Sequence, residues 1–125
     1  MFTLFYVSRH RASALSALLA SVALAATGSV VHAAVGQTKL PAFGDDAPVT
    51  LFYPTDAAEQ KVQRGPFELS LAVDAPPATA RSNRRLVVIS HGSGGNAWVH
   101  VDLARALVNE GFVVAFPLHR GDNSA

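Results

Sequence analysis

The chain has 125 residues, enough for one domain at most, and its formal charge of +1 is too near zero for a typical nucleic-acid-binding protein. Half of the residues are hydrophobic and 15% are charged, which favours a folded chain over a disordered one. The sequence contains no cysteine, which excludes disulfides, thiolate metal sites and a cysteine nucleophile within these residues.

The first 33 residues have the parts of a secretion signal. Residues 9–11, Arg-His-Arg, form a basic start, and an uncharged run rich in alanine, leucine, valine and serine follows. Val31-His32-Ala33 matches the small-x-small rule, so we expect cleavage after Ala33 and a periplasmic or secreted domain of residues 34–125 with no stable membrane anchor. An uncleaved anchor is the alternative, because the run is about long enough to span a bilayer.

The start of the mature chain favours extended structure. Residues 34–48 are rich in glycine, proline and aspartate, which indicates an extended leader or an early hairpin. Residues 49–53 are apolar and β-branched or aromatic, and they predict a strand that stops at Pro54.

A second early strand is predicted after a polar segment. Residues 56–64 are polar, and Gly65-Pro66 is typical of a turn. Residues 67–71 alternate between apolar and polar, which predicts a half-buried strand over residues 67–73. We expect this strand to form an antiparallel edge with the strand at 49–53. Residues 74–85 hold two prolines and three arginines and predict a surface loop.

The strongest pattern in the chain is a strand, a glycine-rich loop, a helix and a second strand. Residues 86–90 and 112–116 are continuous apolar runs, typical of parallel strands covered on both faces. Between them, residues 98–110 predict a helix that begins with Asp102 in its first turn and ends at Gly111. The helical spacing predicts that one face packs on the sheet, formed by Val99, Leu103, Ala106 and Leu107.

The loop His91-Gly92-Ser93-Gly94-Gly95 between the first strand and the helix resembles the oxyanion loop of α/β-hydrolases. It is most similar to that of the dienelactone hydrolase and platelet-activating-factor acetylhydrolase group, and residues 111–123 resemble the next strand and loop of those enzymes. The resemblance implies the N-terminal part of a three-layer α/β sandwich, with early antiparallel strands. It also implies that the strand at 86–90 lies between the strand at 112–116 and a strand bearing the nucleophile.

The resemblance further implies a function and a set of site residues. The function is hydrolysis of a small carboxylic ester or lactone without a cofactor or a metal. Ser93 would stabilise the oxyanion through its backbone N–H, and His91, Gly92, Gly94 and Gly95 would support the loop. The motif Gly-x-Ser-x-Gly is absent from the sequence, so the serine or cysteine nucleophile and its histidine and aspartate partners are expected outside this chain.

Ser93 and the residues after the second strand also allow a nucleophile, a catalytic triad or a metal site. Ser93 lacks a glycine two positions before it, as a nucleophile elbow requires, so we do not assign it as the nucleophile. A triad drawn from Ser93, His119 and Asp122 has a chain order that fits no hydrolase pattern, and His100 with His119 has no metal-ligand spacing. His119, Arg120 and Asp122 follow a strand and could line a pocket or brace a loop.

Two alternatives to a hydrolase remain open. Residues 92–97 fit G-x-G-x-x-A, so the chain could be a module that binds a nucleotide cofactor such as NAD(P). The acidic residue of that fingerprint is missing, because residues 116–118 are Phe-Pro-Leu, although Arg120 could accept a 2′-phosphate. The other alternative is a non-catalytic truncated product.

Overall fold

The computed structural model describes residues 33–121. Residues 1–32 of the predicted signal segment therefore lie outside the described residues, and so does Asp122. Six strands form one sheet in the order β3-β4-β1-β2-β6-β5. The strands are β1 (Ala34–Leu40), β2 (Val49–Thr55), β3 (Gln60–Arg64), β4 (Phe67–Val73), β5 (Leu86–Val88) and β6 (Val113–Pro117). One α-helix, α1 (Val101–Asn109), is present in this part of the chain. Within residues 33–121, no helix has both the length and the apolar character needed to cross a membrane.

The predicted three-layer α/β sandwich is wrong. The described residues form a mixed six-stranded sheet with one short helix, and strand predominates over helix. The polar segment at 56–64 contributes strand β3, and the segment at 34–48, expected to be an extended leader or an early hairpin, contributes β1, which pairs antiparallel with β2. The predicted helix also loses its first turn, because Ala97–His100 is a 3₁₀ helix and only nine residues follow in α-helical geometry.

The polar segment forms a strand because an edge strand needs few apolar side chains. Strand β3 pairs antiparallel with β4 across a turn in which Gly65 has a φ of +56°. Val62 packs against the core, while Lys61 and Glu68 form an exposed ion pair of 3.1 Å across the two strands. The backbone ladder with β4 and the burial of Val62 hold this edge of the sheet, and the exposed ion pair adds little.

The predicted pairing between the strands at 49–53 and 67–73 is also wrong. Strand β2 pairs antiparallel with β1 over seven residues on one side and with β6 on the other. Both edges of β2 are therefore occupied, and β4 pairs instead with β3 and, in parallel, with β1. Pro54 lies inside β2 and does not end it, because proline removes only one donor from a ladder.

Strands β5 and β6 are parallel neighbours, as predicted, with Leu86 opposite Val113 and Val88 opposite Ala115. The prediction that the first of these strands is buried is wrong. Leu86 and Val88 are 61% and 59% exposed, whereas Val87 and Ile89 are half-buried and Ile89 packs against the core. Because side chains alternate along a strand, Leu86 and Val88 point to the face of β5 opposite the core.

The core lies between the sheet and one face of α1. It contains Val35, Phe52, Leu71, Ala104, Val108, Val114 and Phe116. The buried positions of α1 itself are Val101, Ala104 and Val108. Three of the four predicted core residues are exposed, namely Val99 at 56%, Leu103 at 51% and Ala106, whereas Leu107 is half-buried and packs against the core. A 3₁₀ helix turns by about 120° per residue and an α-helix by about 100°, so positions counted from Trp98 are rotated away from the sheet.

A polar cluster ties α1 to the start of the sheet. The carboxylate of Glu59 accepts hydrogen bonds from the backbone N–H of Val35 at 2.7 Å and from the guanidinium of Arg105 at 2.8 Å. Arg105 also donates to the carbonyl of Ser70 on β4. Since both charged side chains are partly buried, this cluster fixes how the helix lies on β1 and β4.

Candidate active site

The candidate site lies where β5 and β6 end side by side. Ser90 and His91 follow β5, and His119 follows β6 two residues after its end. Because the two strands are parallel, these side chains meet at the carboxyl edge of the sheet, where open α/β sheets bind their ligands.

The glycine loop forms a tight turn over residues 92–95. The backbone N–H of Gly95 donates to the carbonyl of Gly92 at 3.0 Å, which closes the turn. Gly94, at the third position, has a φ of +68°, in the left-handed region that this position of a type II turn requires. Ser93 is therefore the second residue of a closed turn. Gly94 follows it, and its conformation sets the direction of the peptide bond between Ser93 and Gly94.

Gly95 is needed for a different reason, namely close approach. A Cβ atom placed on Gly95 would lie 2.8 Å from the Cβ of His91 and 2.9 Å from the carbonyl oxygen of Gly92. Gly92 is not in the left-handed region and has open space where a Cβ would lie. The glycines of the loop thus have different roles, and Gly95 lets the turn close against His91.

His91 links the turn to β6. Its side chain is buried, and its Nδ1 lies 2.9 Å from the carbonyl oxygen of Gly92. Its Nε2 accepts a hydrogen bond of 3.3 Å from the backbone N–H of His119. Both contacts are made together only by a neutral imidazole with its proton on Nδ1. The carbonyl of Gly92 therefore accepts from His91 and from Gly95, and His91 contacts the loop as a supporting residue would.

A serine–histidine pair stands beside the turn, and the sequence patterns did not predict it. Ser90 Oγ lies 2.8 Å from Nε2 of His119, and the rings of His91 and His119 are 4.6 Å apart between centroids. The position of Ser90 directly after an apolar run was the available signal. The partner could not be read from the sequence, since 29 positions separate the two residues.

Asn96 and Trp98 carry the chain from the turn into the helix. The side-chain oxygen of Asn96 accepts from the backbone N–H of Trp98 at 2.9 Å, which caps the 3₁₀ helix. The Trp98 ring packs edge-on against Phe52, and the guanidinium of Arg64 lies 5.3 Å from its centroid. Trp98 is thereby held between the core and the tip of the β3–β4 hairpin.

Other residues singled out from the sequence lie apart from this turn or outside the described residues. Arg120 donates to the carbonyls of Gly44 and Asp46 at 3.3 and 3.4 Å, so it braces the loop between β1 and β2. His100 precedes α1 and makes no side-chain cap bond. Over residues 33–121, no cluster of three or more histidine and carboxylate side chains could hold a metal ion.

Comparison with models of known protein families and with curated proteins gave no match for this chain. The geometry of the turn, and the resemblance of its residues to the oxyanion loop of α/β-hydrolases, are therefore the basis for proposing a function.

Proposed function

We propose that this chain supplies the oxyanion loop of an exported hydrolase that acts on a carboxylic ester or lactone. The closed turn over residues 92–95 carries the proposal. It stands at the carboxyl edge of two parallel strands and is braced through His91 to its own carbonyl and to β6. Oxyanion stabilisation needs donors that are already in place, because reorganisation would consume the stabilisation they provide.

The chemistry assigned to the turn is electrostatic. When a nucleophile adds to the carbonyl carbon of an ester, the carbonyl oxygen becomes an anion. The backbone N–H of Ser93 would donate to that oxygen, and a second N–H would come from the residue after the nucleophile. The Ser93 hydroxyl has no part in this step.

Ser90 is not assigned as the nucleophile in spite of its contact with His119. A nucleophile elbow has glycines two residues before and two residues after the serine, and Ser90 has Val88 in the first of these positions. In this proposal the nucleophile, a serine or a cysteine, is not among residues 1–125.

The alternative of an NAD(P)-binding module receives no specific support. Arg120, the residue considered for a 2′-phosphate, is bonded to the loop between β1 and β2. Four strands also precede β5, the strand that leads into the glycine turn, whereas the dinucleotide fingerprint opens the first βαβ unit of its fold.

The proposal is tested by reading the coding sequence past Ala125 and assaying the longer protein on short-chain esters. We expect a Gly-x-Ser-x-Gly or Gly-x-Cys-x-Gly motif and an exported product that begins at Ala34. In that protein Ser93→Ala should retain most activity, whereas Ser93→Pro should lose roughly 2–4 kcal/mol of transition-state stabilisation because its N–H is removed. Loss of all activity in folded Ser93→Ala or Ser90→Ala would overturn the assignment, and immediate termination would favour a truncated product.

A further inference from the structure

A cavity of about 560 Å³ lies directly beside the glycine turn. Its walls come from the tip of the β3–β4 hairpin on one side and from the turn and the 3₁₀ helix on the other. The residues that line the cavity include Pro66, Phe67, Gly94, Asn96, Trp98 and Val99. The volume falls within the range of roughly 300–1,000 Å³ that small-molecule sites occupy.

The walls of this cavity are apolar with one polar end. Pro66, Phe67, Trp98 and Val99 supply the apolar surface, and no charged side chain among the described residues lines it. Phe67 and Val99 are 36% and 56% exposed. By contrast, the cavity at the other end of the hairpin is lined by charged side chains, among them Glu59, Lys61 and Arg105.

The polar end of the cavity is the glycine turn itself. Gly94 forms part of the wall, and a Cβ atom placed on it would meet nothing within 4 Å. Space therefore opens over the residue that follows the proposed oxyanion donor. A group attached to a carbonyl carbon at Ser93 would enter the cavity at this point.

We propose that this cavity, the Phe67–Trp98–Val99 subsite, holds the neutral acyl chain of the ester whose carbonyl oxygen lies at Ser93. The proposal rests on the function proposed above and adds the substrate class, an uncharged aliphatic acyl group. Burying such a chain against the three side chains removes apolar surface from water on both sides.

Trp98 allows a direct test of binding, because it is the only tryptophan in the sequence. The probe is 6-bromohexan-2-one, a ketone analogue of an acyl ester whose terminal bromine quenches indole fluorescence on contact, with hexan-2-one as the bromine-free control. For the soluble fraction of the exported chain, collected by size-exclusion chromatography, we expect quenching to saturate with probe concentration and hexan-2-one to compete with it. Quenching that rises linearly, as it does for the chain unfolded in urea, would overturn the proposal.

Variants with a matched control show whether the probe lies in this cavity. Phe67→Ser and Val99→Ser should each raise the half-saturating concentration by about fivefold or more, since each removes apolar contact. Phe43→Ser should leave it unchanged, because Phe43 is 86% exposed and lies outside this cavity. Equal affinity in all three variants would refute the subsite. Saturable quenching without ester hydrolysis in the longer protein would refute the proposed function and leave the subsite standing.

Discussion

Gly95 is the residue on which the shape of the glycine turn depends most directly. Gly95→Ala should lower the free energy of unfolding by about 1–3 kcal/mol, because the added methyl group would overlap His91 and the Gly92 carbonyl. Gly92→Ala is the matched control and should change it by less than about 0.5 kcal/mol, since its methyl group would enter open space. Urea unfolding followed by circular dichroism measures both. Equal effects would mean that the turn does not close against His91.

Tyr53 gives the protein a dependence on alkaline pH. Its hydroxyl donates to the carbonyl of Ala75 at 2.6 Å, and burial, with a smaller contribution from the charge of Asp74, raises the pKa of Tyr53 above its ordinary value of 10.0. A raised folded pKa contributes stability that is present below pH 10.0 and is lost as pH rises through the folded value.

Tyr53→Phe should therefore weaken the loss of stability above pH 10.0, measured as the pH dependence of the melting temperature. In a protein that begins at Ala34, Tyr53 is the only tyrosine, so phenolate absorbance at 295 nm follows its ionisation directly. Ionisation with a midpoint at 10.0 or below would contradict this account.

Among the elements, α1 buries a different face from the one that sequence periodicity predicts. Val108 is fully buried against the sheet, whereas Leu103, predicted to share that role, is 51% exposed. Val108→Ala should cost about 2 kcal/mol of stability through lost burial and a cavity, and Leu103→Ala less than about 1 kcal/mol. Thermal melts of the two variants show which face of α1 packs on the sheet. A larger loss of stability in Leu103→Ala than in Val108→Ala would favour the predicted face.

For the whole molecule, the open edge at β5 is the decisive feature. The C=O of Arg85 accepts from Val113 of β6 and the N–H of Ile89 donates to Ala115 of β6, so by the alternation of a strand the N–H and C=O of Leu86 and Val88 point away from β6. An unpaired apolar edge promotes self-association. We expect residues 34–125 alone to be poorly soluble, to melt with weak cooperativity and to hydrolyse no short-chain ester.

Val88→Lys should reduce that self-association, because a charge on an edge strand opposes pairing with another strand. Leu103→Lys is the control, since Leu103 is 51% exposed but lies on α1 and not on a strand edge. Light scattering after size-exclusion chromatography measures the association. A sharp cooperative melt of unsubstituted residues 34–125 as a monomer would contradict the expected instability.

Local patterns predicted those parts of the candidate site that lie close together in the chain. The turn over residues 92–95 needs only its own glycines, and Asp102 and Gly111 mark the start and end of α1 as their chemistry predicts, with Gly111 at a φ of +85°. The contact between Ser90 and His119 could not be predicted this way, since it exists only because β5 and β6 end at the same edge.

The sequence by itself determined where apolar strands, turns and the helix lie along the chain, and it placed β5 beside β6. Only the tertiary structure decided the rest: that β3 is a strand, that β4 pairs with β1 and not with β2, and which side chains of β5 are exposed. The physical reason is that a turn or a helix end depends on a few adjacent residues. Strand pairing depends on which strand edges are already occupied, and the burial of a residue depends on which elements pack over it. Both are set by residues far away in the sequence.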